Sequence, residues 1–260
     1  MKSMRGLLAL VAVLALVVAA CGGDDGGGAD TSDLELVEAG TLTICTDVPF
    51  PPMEFESADV ELGYDGFDIE LSAAIAESLG LTPVVATPGW EAITGGLAFE
   101  NDQCDIAAAS ITITEEREEA IDFTDPYFNG EQALLVKADS GITSWEGLET
   151  VAVQTGVTGE IYAQENWPDV EIVSYEDAAS PYLALDAGDV DGVIFDLVSQ
   201  QDVADNDDTV VIVETYDTNE EYGLATQDTP NLLVALNETL ASLREDGTYD
   251  EIYGKWFPES

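Results

Sequence analysis

The sequence predicts an α/β protein with helices layered on mostly parallel sheets. Short β-branched runs alternate with helical segments along the body, the pattern of strand and crossover helix. One amphipathic helix leads straight into a strand, LTPVVA. The chain of 260 residues is long enough for two modest domains.

The first strand is TLTIC, at Thr41–Cys45. In the first helix Phe67, Leu71, Ile75 and Leu79 recur every fourth residue, Ala74 widens the stripe, and Gly80 supplies a left-handed stop. Similar units run through EAITGGLAFEN, DIAAAS and TEEREEAI. A second series of strands follows: ALLVKA, TVAVQT, VEIVSY, VDGVIFD and TVVIVE. Pro230 opens a long helix at its first turn, with Asp228 or Thr229 before it as cap, and Gly247 closes it. TYDEIYGKWF makes a last short helix whose aromatics are read as packing. Asp65 and Asp68 flank the start of the first helix, where acids are favoured, and are read as structural.

At the N-terminus, Lys2 and Arg5 precede an apolar run from Leu7 to Ala20. A permanent membrane helix needs about 20 apolar residues, so this shorter run reads as a signal peptide over residues 1–20. The junction Val18-Ala19-Ala20-Cys21 resembles a bacterial lipobox, which makes Cys21 the lipidated first residue of the mature chain. An ordinary cleavable signal with an incidental cysteine is the alternative. Gly- and Asp-rich sequence then suggests a flexible, solvated tether over 21–37.

The net charge is −48, and removing residues 1–20 takes two of the six Lys and Arg but none of the 54 acids. Such a surface repels phosphate backbones and anionic headgroups, which disfavours nucleic-acid binding. The absence of histidine excludes Ser-His-Asp and Cys-His catalysis and imidazole-based zinc sites. No metal or other cofactor is expected. DAGDVDG at 186–192 mimics a calcium loop, but ligand positions fall on Ala187 and Val198, so it reads as a turn.

Cys45 lies within TLTIC and Cys104 just before DIAAAS. If those strands are sheet neighbours, a disulfide can join them in an oxidising compartment; two buried free thiols are the alternative. Arg117, shortly after DIAAAS, and Asp196, ending VDGVIFD, sit beyond the carboxyl ends of strands, where open α/β sheets bind ligands. A guanidinium can grip a carboxylate by two parallel hydrogen bonds, and an aspartate can accept from an ammonium, so the pair matches an amino acid. An Arg within TEEREE can equally be a helix-surface partner for Glu.

GFDIELSAAIAESLG (66–80), SITITEER (110–117), DFTDPYF (122–128) and the ending DGTYDEIYGKWF resemble the polar-amino-acid solute-binding proteins of ABC importers, solute-binding protein family 3. The resemblance covers nearly the whole mature chain. It implies a two-lobe periplasmic-binding-protein fold of type II with a double crossover hinge. The first lobe spans 38–130 plus 221–260 and the second 131–220. It also implies an extracytoplasmic monomer that captures a free amino acid by hinge closure and presents it to a membrane ABC permease. Carried over by position, Arg117 holds the ligand carboxylate, with Ser110 and Thr112 beside it. Asp196 accepts from the ammonium, and Gln154 and Thr158 join from the loop QTGVTGE. Phe50 covers the ligand side chain, Trp90 forms the opposing wall, and Asp47 faces the side chain. Val157 departs from the small polar residue that family members usually carry. Read from residue type alone, Phe50 and Trp90 could be core and Asp47 a turn cap.

Asp47 between aromatic faces tilts the ligand toward arginine or lysine, although related pockets hold glutamine. The alternative function is a cyclohexadienyl/prephenate-type dehydratase on the same fold. Acid catalysis there needs a carboxylic acid of raised pKa, and the sequence assigns no cleft carboxyls beyond Asp47 and Asp196. The acidic surface predicts salt dependence: lowering salt from about 1 M to about 0.01 M lengthens screening from about 3 to about 30 Å, so the melting temperature falls. A flat melting temperature across that range counts against self-repulsion.

Overall fold

The computed structural model describes residues 33–258. The signal peptide and Cys21 lie outside the described residues, as does most of the predicted tether. Twelve strands and eight α-helices occur among the described residues.

The first sheet takes β1 (Thr41–Cys45), β4 (Thr82–Ala86), β5 (Ile106–Ala107), β6 (Asp122–Phe123) and β12 (Ala225–Thr226), in the order β4-β1-β5-β12-β6. The second takes β7 (Phe128–Lys137), β8 (Thr150–Gln154), β9 (Glu171–Tyr175), β10 (Gly192–Asp196) and β11 (Val210–Tyr222), in the order β11-β7-β10-β8-β9. A small hairpin pairs β2 (Phe55–Glu56) with β3 (Tyr64–Asp65). The chain therefore leaves the first sheet after β6 and returns to it at β12.

The α/β class and the mostly parallel sheets are as expected: in each sheet four of the five strands point the same way and one, β12 or β7, is reversed. β1 runs parallel to β4 and β5, whereas β12 is antiparallel to β5 and β6. β8 runs parallel to β9 and β10, whereas β7 is antiparallel to β10 and β11. Parallel neighbours need a helical crossover. Those crossovers come from α1 (Phe67–Ser78), α2 (Trp90–Thr94) with α3 (Leu97–Glu100), α4 (Thr158–Asn166) and α5 (Ala179–Ala187). β7 and β12 arrive directly from the other sheet and run the opposite way.

Helix termini follow local chemistry. A Cβ on Gly66, the residue before α1, would lie 2.2 Å from the carbonyl oxygen of Met53, so only glycine lets the helix start there. Gly80 ends α1 at φ +72° as predicted. α6 (Leu197–Asn206) follows β10, and α7 (Pro230–Asp246) and α8 (Thr248–Trp256) close the chain. Thr229 stands at the start of α7, but its hydroxyl pairs with Thr226 at 2.6 Å and does not cap the helix. α7 buries Leu232, Leu236, Leu240 and Leu243. Tyr249, Tyr253 and Phe257 crowd around Phe67 with centroids 5.3–5.9 Å away, the packing role expected of that segment.

Just ahead of residue 38 the chain already touches the first-sheet core. Leu34 and Leu36 pack against the core, and the Val37 amide donates to Asp105 at 2.6 Å. Apolar side chains and a buried acceptor thus hold the end of the predicted tether. β1 and β5 are neighbours, and Cys45 and Cys104 are disulfide-bonded with Cα atoms 5.5 Å apart. The bridge closes a loop across 59 positions and stabilises by up to about 4 kcal/mol in the loop-entropy picture. A Cys45→Ala/Cys104→Ala variant is expected to unfold at lower denaturant, and mass spectrometry of unreduced protein should show neither thiol free. Alkylation of both in the native, unreduced chain would refute the bridge.

Candidate functional site

The nine residues singled out from the sequence line one tight cavity of about 20 Å³ between the two sheets, walled also by Glu54, Ala109, Val157, Ala178 and Phe195. They sit where strands end. Asp47 and Phe50 follow β1, Trp90 opens α2 just after β4, and Ser110, Thr112 and Arg117 follow β5. Gln154 ends β8, Thr158 opens α4 and Asp196 ends β10. The crevice beyond the carboxyl ends of both sheets is thus closed over by the facing unit.

Arg117 lies in a short 3-10 turn and is only 8% exposed. The helix-surface alternative is thereby overturned: the guanidinium points inward. It donates to the Thr112 carbonyl at 2.8 Å and, across the cleft, to the Gly156 carbonyl at 3.1 Å. It also stacks on Trp90, 4.8 Å from the ring centroid. Burial lowers its pKa, opposed by the nearby Asp196 and Glu220. Trp90 donates its indole N–H to the same Gly156 carbonyl at 3.2 Å. Phe50 packs on Phe195 at 5.1 Å. Both aromatics therefore face the cavity as well as the core.

Asp196 precedes α6 yet does not cap it. One carboxylate oxygen accepts from the Tyr222 hydroxyl at 2.7 Å and the other from the Gln132 side-chain amide. Burial raises its pKa to about 7, Glu220 adds to the rise, and Tyr222, Gln132 and Arg117 oppose it. Asp47 accepts from the Gln154 amide across the cleft at 2.9 Å. Burial raises its pKa, with Gln154 opposing and Asp177 adding. Val157, where a small polar residue was expected, is buried and apolar at the start of α4.

Sequence reasoning missed Glu54. It is 1% exposed, lines the cavity, and accepts from the Ser110 hydroxyl at 3.4 Å. Burial, then the neighbouring Asp68, pushes its pKa well up. The expectation that Asp47 and Asp196 are the cleft's carboxyls is corrected accordingly. A lone acid within PPMEF, amid apolar neighbours, was the available signal. Asp68 is structural, as read: it accepts from the Ser110 amide and the Tyr127 hydroxyl, each at 2.7 Å, which anchors Ser110 at φ +50°. Phe195 and Glu220 were also missed. Glu220 lies in a run of polar residues that carries no pattern.

A family model described as bacterial extracellular solute-binding proteins, family 3, matches residues 42–259. The L-cystine-binding protein TcyJ of Escherichia coli is 29% identical over 226 residues, 85% of this chain and 84% of the relative. The ABC transporter glutamine-binding protein GlnH of Bacillus subtilis is 32% identical over 200 residues, 75% of this chain and 73% of the relative. Among solved structures, an ancestral arginine-binding protein bound to glutamine is 35% identical, with a TM-score of 0.77 over 85% of this chain and all of that one. An ancestral amino acid-binding protein, precursor of cyclohexadienyl dehydratase, is 35% identical, with a TM-score of 0.76 over 84% and 96%. These relatives are binding proteins, which does not favour the dehydratase alternative. No helix among the described residues is long and apolar enough to cross a membrane.

The raised Asp196 pKa has a sign that can be tested. The folded chain keeps this proton after the unfolded chain has lost it. The stability it contributes is therefore complete below 3.8 and is lost as pH rises toward about 7. Without ligand, the wild type is expected to lose more stability across that window than Asp196→Asn, measured by denaturant unfolding at each pH. Parallel curves for the two proteins would remove Asp196 as the cause.

Proposed function

The chain belongs to the bacterial extracellular solute-binding proteins, family 3, and from that premise we propose that it captures a free polar amino acid, tilted toward a cationic one, for delivery to an ABC permease. One observation carries the proposal: Arg117 and Asp196, of opposite charge and from different sheets, line the same largely desolvated cavity. Arg117 uses two of its donors on carbonyls, and its five-donor fork leaves the rest for a ligand carboxylate. The start of α4, behind Val157 and Thr158, adds amides of the kind that favour an anion. Asp196 takes the ammonium, Ser110 and Gln154 shape the pocket, and Asp47, Phe50 and Trp90 take the side chain. Asp47 and Glu54 near two aromatic faces suit a guanidinium or ammonium worth about 0.5–2 kcal/mol over a ring. The relatives' ligands span cystine, glutamine and arginine.

In this reading residues 38–130 plus 221–260 form one lobe and 131–220 the other, joined by the double crossover. An amino acid that touches both lobes stabilises the closed state by its difference in affinity for closed over open, and the permease reads that closed shape. The protein acts as a monomer without enzymatic activity, held outside the cytoplasm by a lipid on Cys21.

A thermal-shift screen of the protein without residues 1–20 against the standard amino acids is expected to show a large rise for arginine, lysine or glutamine. A rise confined to glutamine discards the cationic tilt, and no rise with any amino acid discards the function. Arg117→Ala is expected to weaken binding by about 2–4 kcal/mol in calorimetry. Unchanged affinity would remove Arg117 from the site.

A further inference from the structure

Glu220 stands behind the cavity, not in it. The pairing of β11 with β7 shifts register between Tyr216 and Glu220, and Asn219 within the shift adopts φ +52°. That irregularity turns the half-buried Glu220 carboxylate toward the seam between the units, while its outer side lines a groove behind the crossovers. One carboxylate oxygen accepts from three donors: the Thr112 hydroxyl at 3.0 Å, the Thr158 hydroxyl at 2.8 Å and the Gln132 amide at 3.2 Å. Thr112 and Thr158 come from opposite units, and both line the cavity.

A threonine hydroxyl has one proton to give and two lone pairs to offer. A carboxylate only accepts. With both protons committed to Glu220, the two hydroxyls can present only lone pairs to a ligand, and Thr158 keeps one, since its other faces the Gln132 amide at 3.2 Å. The resemblance placed Thr112 and Thr158 on the carboxylate side, yet neither can donate to a carboxylate while bonded this way. They suit an ammonium. The same Gln132 amide nitrogen also donates to Asp196, so the three acceptors belong to one connected network. We propose that Glu220 is a positioning residue that fixes Thr112 and Thr158 as ammonium acceptors and so makes the site discriminate for the α-amino group of its ligand. The proposal rests on the reading that the cavity holds an amino acid.

The test compares an amino acid with its des-amino acid: L-arginine with δ-guanidinovaleric acid, and L-glutamine with glutaramic acid. Another amino acid found in the screen is paired with its own des-amino acid. Calorimetry measures the preference for the amino member in the wild type, Glu220→Gln and Glu220→Asp. The side-chain amide that Glu220→Gln introduces can donate to the hydroxyls and turn them, so this variant is expected to reduce the preference by about tenfold, while Glu220→Asp, still an acceptor, keeps most of it. In a Thr112→Val/Thr158→Val background, Glu220→Gln should change the preference no further. Thr112→Val alone supplies an arm independent of whether Glu220→Gln folds: it should weaken the amino member about tenfold and spare the des-amino one. Equal weakening of both members, or no change in either, overturns the proposal. A full Glu220→Gln effect in the double-valine background does so too. If the wild type binds no standard amino acid, the functional proposal falls first and this inference with it.

Discussion

The antiparallel ladder between β7 and β11 is the constraint on which the site depends. Its pairs run from Val210 opposite Lys137 to Tyr222 opposite Phe128, so the two strands that leave and rejoin the first sheet are hydrogen-bonded to each other as they cross. Tyr222 leaves the ladder fully buried, stacks on Phe128 at 5.5 Å, and bonds Asp196. Gly130, which pairs with Glu220, must lack a side chain, since a Cβ there would lie 2.7 Å from the Tyr222 ring. The same ladder carries the irregularity that aims Glu220. Crossover, aromatic packing and acid placement are therefore a single piece of backbone geometry.

The site is unusual in its charge balance. One buried guanidinium faces Asp47, Glu54 and Asp196 around the cavity, with Glu220 behind them. Burying several acids beside one cation is unfavourable unless protons or hydrogen bonds compensate. Both occur here: Glu54 and Asp196 shift toward their neutral forms, and Asp47 and Asp196 accept from side-chain amides. A bound cation would relieve the remaining imbalance, which connects the electrostatics of the cavity to its proposed ligand.

Much of this was legible in the sequence because each element announces itself locally. The α1 stripe, its glycine stop and the Pro230 start of α7 follow from periodicity and capping chemistry, and Arg117 and Asp196 stood out by their position after strands. The one reversed strand in each otherwise parallel sheet, β7 and β12, was not legible, because its direction is set by which unit the chain comes from. Thr229 looked like a cap but found Thr226 instead, a tertiary preference that no local rule contains. Glu54 and Glu220 escaped for the same reason: their roles come from partners more than fifty and a hundred positions away, Ser110 and Thr112 respectively.

The carbonyl of Gly156 accepts from both Trp90 and Arg117, so this contact between the units ends on a main-chain atom. Substituting side chains cannot delete a peptide oxygen. Variation in the second unit can thus recolour the ligand's surroundings without erasing the docking point, while the grip itself is written into Trp90 and Arg117 of the first. Under the proposed hinge closure, such a division lets a lineage drift in specificity on one side of the cleft and inherit the closing contact unchanged from the other.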